Sequence, residues 1–340
     1  MNGDKEQRTG DVHQWPSTLD AGDPEVEAFT QEMRRLGAPH HLAKYDHGVY
    51  EFSLDVLGGS ELVADFPEAS PDRQEYLRAA GQQLAFAMGA LDGELAGADT
   101  GRLIRTVVHA EYGALYSVSV TPKNYVLGIV FGHATPSAGD RTRPLPQVAL
   151  VRDADKYTCW LSDTLRRQIG LPTQNPGGWQ TEDDQLNVLA NPPGELHRRP
   201  LESSDGDRLE RLLHPFGLAY LARCKRGKIV QEADLFAHPR VAQGRPAQVG
   251  PDEPRLFYRR LTQGFAVYAR ELSQTARQAV RGRVLRIVLD VEQGAVYYYR
   301  IGPADYLVGV TINQARVSQS DDMLGRFAAD LLNKGASKRR

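Results

Sequence analysis

Three histidines in the segment PHHLAKYDHG are the residues whose type and spacing come nearest to a metal site: His40, His41 and His47. His40 and His41 are adjacent, so in a strand their side chains point to opposite faces of the sheet. Neither a cysteine nor an acid stands at ligand spacing from them. We therefore expect no metal here, and no cofactor elsewhere in the chain.

The two cysteines, Cys159 and Cys224, are the next residues that could do chemistry. They are far apart in sequence and form neither a CxxC pair nor a disulfide framework. Lone cysteines of this kind are mostly small buried hydrophobes rather than nucleophiles. The chain also lacks the GxxxxGKS, GxGxxG and GxSxG motifs. We therefore expect a protein that is not an enzyme.

Composition excludes further classes of function. The 340 residues carry a formal net charge of -2, so no basic field favours nucleic acid. The most apolar run, VLGIVF at 126–131, is far shorter than the roughly 20 residues that span a bilayer. The N-terminal residues lack the apolar core of a signal peptide. These features predict a cytoplasmic protein, and the many arginines, alanines, glycines and prolines favour a bacterial source.

The chain contains an internal sequence repeat, which indicates the helices and strands that would position any functional site. The segment RLIRTVVHAEYGALYSVSVTPKNYVLGIVFGHA (102–134) aligns without a gap to RVLRIVLDVEQGAVYYYRIGPADYLVGVTINQA (283–315) at a shift of 181. The two share 11 identities in 33 positions, whereas about two are expected by chance. The chain therefore contains two diverged copies of one domain.

The same shift continues upstream in two helical segments, 76–91 and 257–272. Their apolar positions recur at steps of three and four, which predicts a long amphipathic helix in each copy. The paired positions are Leu77/Tyr258, Ala80/Leu261, Leu84/Phe265, Ala87/Tyr268 and Leu91/Leu272. Each copy then reads as a short helix, two strands, the long helix, three strands and a closing helix.

Turn glycines punctuate this order in both copies. Gly48 and Gly227 lie between the first two strands, and Gly113 and Gly294 open the turn between the third and fourth strands. We expect a positive φ at the second pair of glycines.

The repeat sets the predicted domain boundaries. The first domain covers 24–170 and the second covers 207–334. Residues 171–206, rich in proline and glycine, are predicted as a linker, parts of which dock on a domain at Trp179 and at 186–190. Residues 1–22 are predicted as a disordered N-terminal tail, and residues 335–340 as a basic C-terminal tail.

The element order, the long helix and the glycine-turned strand triplets of 102–134 and 283–315 resemble the roadblock/LC7 family. The resemblance implies an α+β, profilin-like fold: two tandem domains, each a five-stranded antiparallel sheet with helices on both faces, related by pseudo-twofold pairing. Family members commonly regulate small Ras-like GTPases or act as adaptors. An open sheet has association-prone edges, and tethered copies meet at high effective concentration, so we expect internal pairing and a monomer.

Strand alternation assigns the three tyrosines of the second copy. Tyr297 and Tyr299 share a face whose counterparts in the first copy, Tyr116 and Val118, are apolar or aromatic, so this face is core. Tyr298 points the other way. It is either a half-covered framework residue or a contact made with a partner by the second copy alone.

Arg105 and Arg286 occupy the same repeat position on an otherwise apolar strand face. Each arginine either covers the sheet while pairing with an acid, with Glu111 or Glu292 the nearest choices, or lies in an interface between the domains or toward a partner. The candidate interface residues are Arg105, Arg286, Tyr298, Leu103, Val284, Val107 and Val288.

The sequence thus favours a non-enzymatic interaction module, a regulator or adaptor for a bacterial small Ras-like GTPase or signalling complex. The alternative is a pair of small-molecule sensing domains of PAS-like architecture, which share a five-stranded antiparallel sheet. A sensor needs a roomy apolar pocket. In the second copy, bulky tyrosines and phenylalanines occupy the place where that pocket would lie.

Overall fold

The structure is a computed structural model in which the chain divides into two compact units. Unit one comprises residues 1–89, 107–174 and 273–283, and unit two comprises residues 90–106, 175–272 and 284–340. The structure describes residues 12–16, 20, 22–34, 39–57, 73–132, 148–179, 197–199, 209–243 and 249–337.

The described residues form a mixed α/β fold with antiparallel strand pairs and six helices. In chain order, the first elements are β1 (His13–Trp15), α1 (Pro24–Met33), β2 (His41–Asp46), β3 (Val49–Asp55), α2 (Arg73–Leu95), β4 (Leu103–Ala110), β5 (Gly113–Thr121), β6 (Asn124–Phe131) and α3 (Val148–Gln168). They are followed by β7 (His197–Arg199), β8 (Leu218–Lys225), β9 (Lys228–Asp234), α4 (Pro239–Ala242), α5 (Asp252–Ala279), β10 (Val284–Val291), β11 (Gly294–Gly302), β12 (Asp305–Thr311) and α6 (Val317–Ser337).

The strands of both units follow one neighbour order. Unit one has the order β1-β3-β2-β6-β5, continued by residues 107–110 of β4, and the pairs from β1 to β5 are antiparallel. Unit two has the order β10-β11-β12-β8-β9-β7, with every pair antiparallel. The order β3-β2-β6-β5-β4 of the first half of the chain therefore recurs as β9-β8-β12-β11-β10 in the second.

The predicted turn glycines between the first two strands of each copy are confirmed. The turn residues His47 and Gly48 have φ values of 51° and 77°, and Arg226 and Gly227 have φ values of 51° and 74°. Two successive residues with positive φ give the turn whose twist matches an antiparallel hairpin. Glycine adopts this conformation at little cost, which explains its place in both copies.

The expected positive φ is wrong for Gly294, whose φ is not positive. A different constraint requires glycine there, because a Cβ would lie 2.0 Å from the backbone oxygen of Thr311. At Gly113 a Cβ would lie 2.3 Å from the backbone oxygen of Val130. In both units the neighbouring strand thus approaches too closely for a side chain.

Helices pack on both faces of the strands in unit one. Phe29 of α1, Leu42 of β2 and Leu161 of α3 belong to one buried apolar cluster. Helix α2 packs against Tyr45 instead, whose hydroxyl donates to the backbone oxygen of Arg78 at 2.8 Å. The apolar stripe predicted for α2 is confirmed at Leu77, Ala80, Leu84 and Leu91, which are all buried.

In unit two the strands also lie between helices, with α6 on one face and α5 on the other. The contacts with these helices show which way Tyr297, Tyr298 and Tyr299 point. Tyr297 and Tyr299 face α6, since their hydroxyls donate to the backbone oxygens of Val317 at 3.0 Å and of Asp321 at 2.9 Å. Tyr298 points to the opposite face and stacks on Phe265 of α5. The predicted alternation is therefore confirmed. In unit one, the hydroxyl of Tyr116 makes the equivalent bond to the backbone oxygen of Val151 at 2.6 Å.

Two short strands lie where the sequence predicts a tail and a linker. Residues 13–15 of the predicted tail pair with β3, with His13 opposite Asp55. Residues 197–199 of the predicted linker pair with β9, with His197 opposite Asp234. Each unit therefore extends its sheet by one strand beyond the predicted five. The predicted C-terminal tail is helical as far as Ser337, and its last three residues lie outside the described part.

The beginning of the predicted linker also packs in unit two. Pro176, Gly177 and Gly178 form a buried 3-10 turn, and Trp179 at its end is half-buried. Gly178 lies against the backbone of Gln314 and Ala315. Docking near Trp179 thus agrees with the expectation, whereas 186–190 lies outside the described residues.

Two segments belong to a different unit from the rest of their predicted domain. Residues 90–106, from the predicted domain 24–170, are part of unit two, and residues 273–283, from the predicted domain 207–334, are part of unit one. Residues 90–106 make their contacts in unit two, where the backbone oxygens of Thr100 and Arg102 accept from the N–H groups of Gln293 and Glu292, each at 3.0 Å. Residues 273–283 make theirs in unit one. There, the guanidinium of Arg283 donates to Glu111.

Candidate interaction surface

A deeply buried charge pair joins Arg105 to Asp290 in unit two. The guanidinium Nε and Nη2 of Arg105 donate to the two carboxylate oxygens at 3.0 and 3.1 Å. The side chains are 1% and 0% exposed. Asp290 also accepts from the backbone N–H of Gly177 at 2.7 Å and from the side-chain amide of Gln314 at 3.4 Å. Two buried charges at this depth are tolerated because they are paired and hydrogen-bonded.

Arg286, at the same repeat position as Arg105, binds a different acid. Its Nε donates to Asp321 of α6 at 3.0 Å, and the two side chains are 15% and 11% exposed. The single hydroxyl proton of Tyr299 is shared between the backbone oxygen of Asp321, at 2.9 Å, and this carboxylate, at 2.6 Å. The two arginines have different acid partners. Asp290, which binds Arg105, has no acidic counterpart in the first copy, because His109 stands at the matching position.

The expected acid partners of the two arginines are wrong. Glu111 binds the guanidinium of Arg283 at 3.0 Å, and Glu292 accepts from the backbone N–H of Arg102 at 3.4 Å. Both glutamates lie at turns just beyond a strand end, where they reach the backbone and side chains of a neighbouring segment. Their side chains are thereby used away from the two arginines.

The apolar interface candidates are all buried. Leu103 and Val284 are 5% and 2% exposed in unit two, and Val288 is fully buried there. Val107 is fully buried in unit one. The interface role of these residues stays a prediction.

Tyr298 is also buried, at 6% exposure. Its ring stacks on Phe265 with centroids 5.2 Å apart and lies 5.1 Å from the ring of Tyr306. Burial raises the pKa of its hydroxyl above the ordinary value. The side chain thus belongs to the layer between the strands and α5, and is more enclosed than the half-covered position expected from the sequence.

The three histidines are used separately. The Nδ1 of His40 accepts from the backbone N–H of Phe131 at 2.9 Å, and the exposed His47 lies 3.0 Å from Asp46. His41 is 1% exposed, and neither of its ring nitrogens has a hydrogen-bond partner. Burial lowers its pKa to about 4, with Asp55 acting in the opposite direction. Within the described ranges, no three His, Cys, Asp or Glu side chains converge on a metal position.

Both cysteines are free and buried. Burial raises the pKa of the Cys224 thiol to about 11, so the thiolate is disfavoured. The sulfur of Cys159 lies 3.7 Å from a carboxylate oxygen of Asp155 on the same helix. These environments are typical of structural cysteines.

Among the described residues, the repeat duplicates an exposed apolar position. Phe86 on α2 is 61% exposed, and Val267 on α5 is 54% exposed. The two positions are related by the repeat shift of 181. A single exposed apolar side chain is ordinary on a protein surface. Packing of the core, however, does not require an apolar residue to be exposed at the same position in both copies.

The stretch of α2 around Phe86 is uncharged. Residues 79–91 of α2, AAGQQLAFAMGAL, contain no charged side chain, whereas the aligned residues 260–272 of α5 include Arg260, Arg270 and Glu271. We define the Phe86 face as the exposed residues Gln82, Gln83, Phe86 and Gly89 of unit one. Protein-binding surfaces are depleted of charge at their centre, so the Phe86 face is the best candidate for partner contact.

Sequence reasoning missed Asp290, Asp321 and the Phe86 face. A signal existed for two of them. The change from His109 to Asp290 is visible in the alignment, and Phe86 and Val267 stand off the apolar stripe at the same shift. The sequence gives no signal for Asp321. This residue lies on α6, and its ion pair with Arg286 depends on how α6 packs against β10.

Comparisons with known proteins add little. No family model matches the chain. No curated protein matches it. A solved structure described as the gliding protein mglB from Thermus thermophilus is similar over 41% of this chain and 95% of that chain, with 20% identity and a TM-score of 0.29. Among the described residues, no helix has both the length and the apolar character needed to cross a membrane.

Proposed function

We propose that the chain is a non-enzymatic protein-interaction module in which two copies of one domain, 24–170 and 207–334, pair within a monomer. Two observations support this. The strand neighbour order of the first half of the chain recurs in the second. The buried pair of Arg105 and Asp290 joins a residue of the first copy to a residue of the second.

The proposed partner is a bacterial small Ras-like GTPase, or a signalling complex that contains one. This rests on the resemblance of 102–134 and 283–315 to the roadblock/LC7 family. The module would act by binding one nucleotide state of the partner more tightly than the other, which shifts the population of states without any chemistry on the module. The free, buried cysteines favour a reducing, cytoplasmic setting.

The observation that carries the interaction role is the exposed Phe86 on an uncharged stretch of α2. Aromatic side chains, phenylalanine among them, are enriched in protein interfaces relative to the rest of the surface. Because the corresponding stretch of α5 is charged, the two copies would contribute unequally to binding.

The experiment compares the full-length wild-type chain with the Phe86→Asp variant as baits in cytosolic extract. The control is Ile169→Asp, which changes an apolar residue of unit one that is 55% exposed and follows the end of α3. We expect a GTPase that wild type and Ile169→Asp retain and Phe86→Asp loses. The purified partner should then bind with different affinities when loaded with GDP or with a non-hydrolysable GTP analogue. Equal retention by all three baits would contradict the proposed surface, and equal affinity in both nucleotide states would contradict the regulatory role.

A PAS-like sensor is the second candidate, favoured by a cavity of about 300 Å³ in unit two. The space between the strands and α5, where a sensor would hold its ligand, is instead filled by the stacked rings of Phe265 and Tyr298. Native mass spectrometry of the purified chain separates the two functions, since a co-purified small molecule would favour the sensor.

A further inference from the structure

The ring of Phe86 on α2 lies against the turn of the β2–β3 hairpin in unit one. A Cβ on Gly48 of that turn would lie 2.7 Å from Cε1 of Phe86, 3.0 Å from Cζ and 3.3 Å from Cδ1. The ring therefore fills space that the side chain of any other residue at position 48 would need. Although most of the side chain of Phe86 is exposed, one edge of its ring rests on the hairpin.

Gln82, which precedes Phe86 by about one turn of α2, ties the same hairpin turn to the helix. Its side-chain amide donates to the backbone oxygen of Gly48 at 3.1 Å. Residues four apart lie on the same side of a helix, so the amide of Gln82 and the ring of Phe86 reach the turn together. Two contacts from α2 thus fix the position of Gly48 relative to the ring.

Unit two has no such support for the corresponding residue. Gly227 and Val267 stand at the repeat positions of Gly48 and Phe86. The φ of Gly227 is 74°, close to the 77° of Gly48, but a Cβ on Gly227 would meet no atom of the described residues within 4 Å. At Gly227 the backbone conformation favours glycine. At Gly48 the same conformation is combined with a ring that leaves no room for a side chain.

A supported ring loses less freedom when it binds a partner than an unsupported one. An exposed phenylalanine can occupy several rotamers, and ordering a side chain in an interface costs free energy. The ring of Phe86 already rests against the hairpin in the free protein. Its contact with Gly48 therefore pre-organises the residue that we propose as the anchor of the interface.

We propose that Gly48 is a positioning residue for partner binding: because it has no side chain, the ring of Phe86 stays against the hairpin in the orientation that the partner recognises. This inference rests on the proposed function, since it takes the Phe86 face as the contact surface. It adds that the two copies differ in how the exposed residue is held, as well as in its type.

The first measurement needs no partner. NMR of the full chain, labelled with ¹³C at the glycine α-carbons, should show a nuclear Overhauser effect between an α proton of Gly48 and the ring protons of Phe86. The chemical shift of this α proton should change in Phe86→Leu, which removes the ring. A wild-type chain without the Overhauser effect would overturn the positioning role.

The second measurement compares Gly48→Ala with its matched control, Gly227→Ala. Both variants place a methyl group at a similar positive φ, so both should lower the melting temperature by a similar amount. Only Gly48→Ala displaces the ring of Phe86. We expect calorimetry with the GTPase isolated on the wild-type bait to show about two- to tenfold weaker binding by Gly48→Ala, as for loss of one pre-ordered side chain. Gly227→Ala should bind as wild type does.

These outcomes separate the inference from the proposed function. If the wild-type bait retains no GTPase, the proposed function fails and the role of Gly48 fails with it. If a GTPase is retained by wild type and lost by Phe86→Asp, but Gly48→Ala binds it as tightly as Gly227→Ala, the proposed function stands and the positioning role of Gly48 is overturned.

Discussion

Arg105 and Asp290 are 185 residues apart in the chain, yet they form a two-bond ion pair in which neither side chain is more than 1% exposed. The carboxylate also accepts the backbone N–H of Gly177, from a segment that the sequence predicts as linker. Asp290, a residue of the second copy, thus binds both a residue of the first copy and a residue of the segment between the copies.

Removing one member of this pair should be strongly destabilising. Arg105→Met or Asp290→Leu leaves a buried charge without its partner, which costs about 3–5 kcal/mol of the free energy of unfolding. The double variant should lose much less than the two single losses added together. Urea unfolding of the full chain measures all three. Arg223→Met is the control, because the Arg223–Asp305 pair is 22% and 17% exposed and its loss should cost about 1 kcal/mol. Single variants that lose no more than this control would show that the buried pair is not stabilising.

Gly177→Ala should be costly for a steric reason. Gly177 has a φ of +78°, and a Cβ there would lie 2.2 Å from the indole nitrogen of Trp179. Gly170 is a matched control, since its φ is +75° and a Cβ would meet no atom within 4 Å. Gly170→Ala should cost about 1–2 kcal/mol from backbone strain alone. Gly177→Ala should cost more in the same unfolding experiment, and equal losses would contradict the crowding.

The buried imidazole of His41 should make stability depend on acid. Its pKa is lowered from 6.5 to about 4 by burial, with Arg73 acting in the same direction and Asp55 in the opposite one. Above pH 6.5 the group is neutral in both states, so its contribution is complete. As the pH falls toward 4, only the unfolded chain takes up the proton, which removes up to about 3 kcal/mol.

The measurement is the free energy of unfolding at several values between pH 7 and pH 4. His41→Phe should show a shallower decline than wild type across this range. His47→Gln is the control, because it removes a histidine whose side chain is 64% exposed rather than a buried one. A slope in His41→Phe as steep as in wild type would place the acid sensitivity elsewhere.

Tyr116 and Tyr297 should respond alike to loss of their hydroxyls. Each hydroxyl donates to a backbone oxygen in the closing helix of its unit, at 2.6 and 3.0 Å. Tyr116→Phe and Tyr297→Phe should therefore each cost about 1 kcal/mol in thermal or urea unfolding. Tyr112→Phe, at a tyrosine that is 40% exposed, should cost nothing measurable. A loss at only one of the two repeat positions would show that the copies use this bond differently.

Much of the local structure follows from the sequence. The apolar stripe on α2, the hairpin glycines Gly48 and Gly227, and the alternation of Tyr297 and Tyr298 are all found as predicted. These features depend on residues a few positions apart, and the period of a helix or a strand is enough to reveal them.

The edge strands β1 and β7 lie in segments that the sequence predicts as a tail and a linker. The sequences VHQWP at 12–16 and LHRRP at 196–200 repeat the same pattern of an apolar residue, histidine and proline. A strand of three residues is too short to show an alternation of its own. Only the ladder that each strand forms with β3 or β9 identifies it.

By itself the sequence predicted two copies of one arrangement of helices and strands, because periodicity and turn residues are local and recur at a nearly constant shift. Only the tertiary structure decided that Arg105 pairs with Asp290 while Arg286 pairs with Asp321, and that Phe86 is exposed on an uncharged helix surface. The physical reason is that strand register and helix packing bring together residues that are tens to hundreds of positions apart. No local pattern in the chain reports which of several acids will lie within reach of a buried arginine.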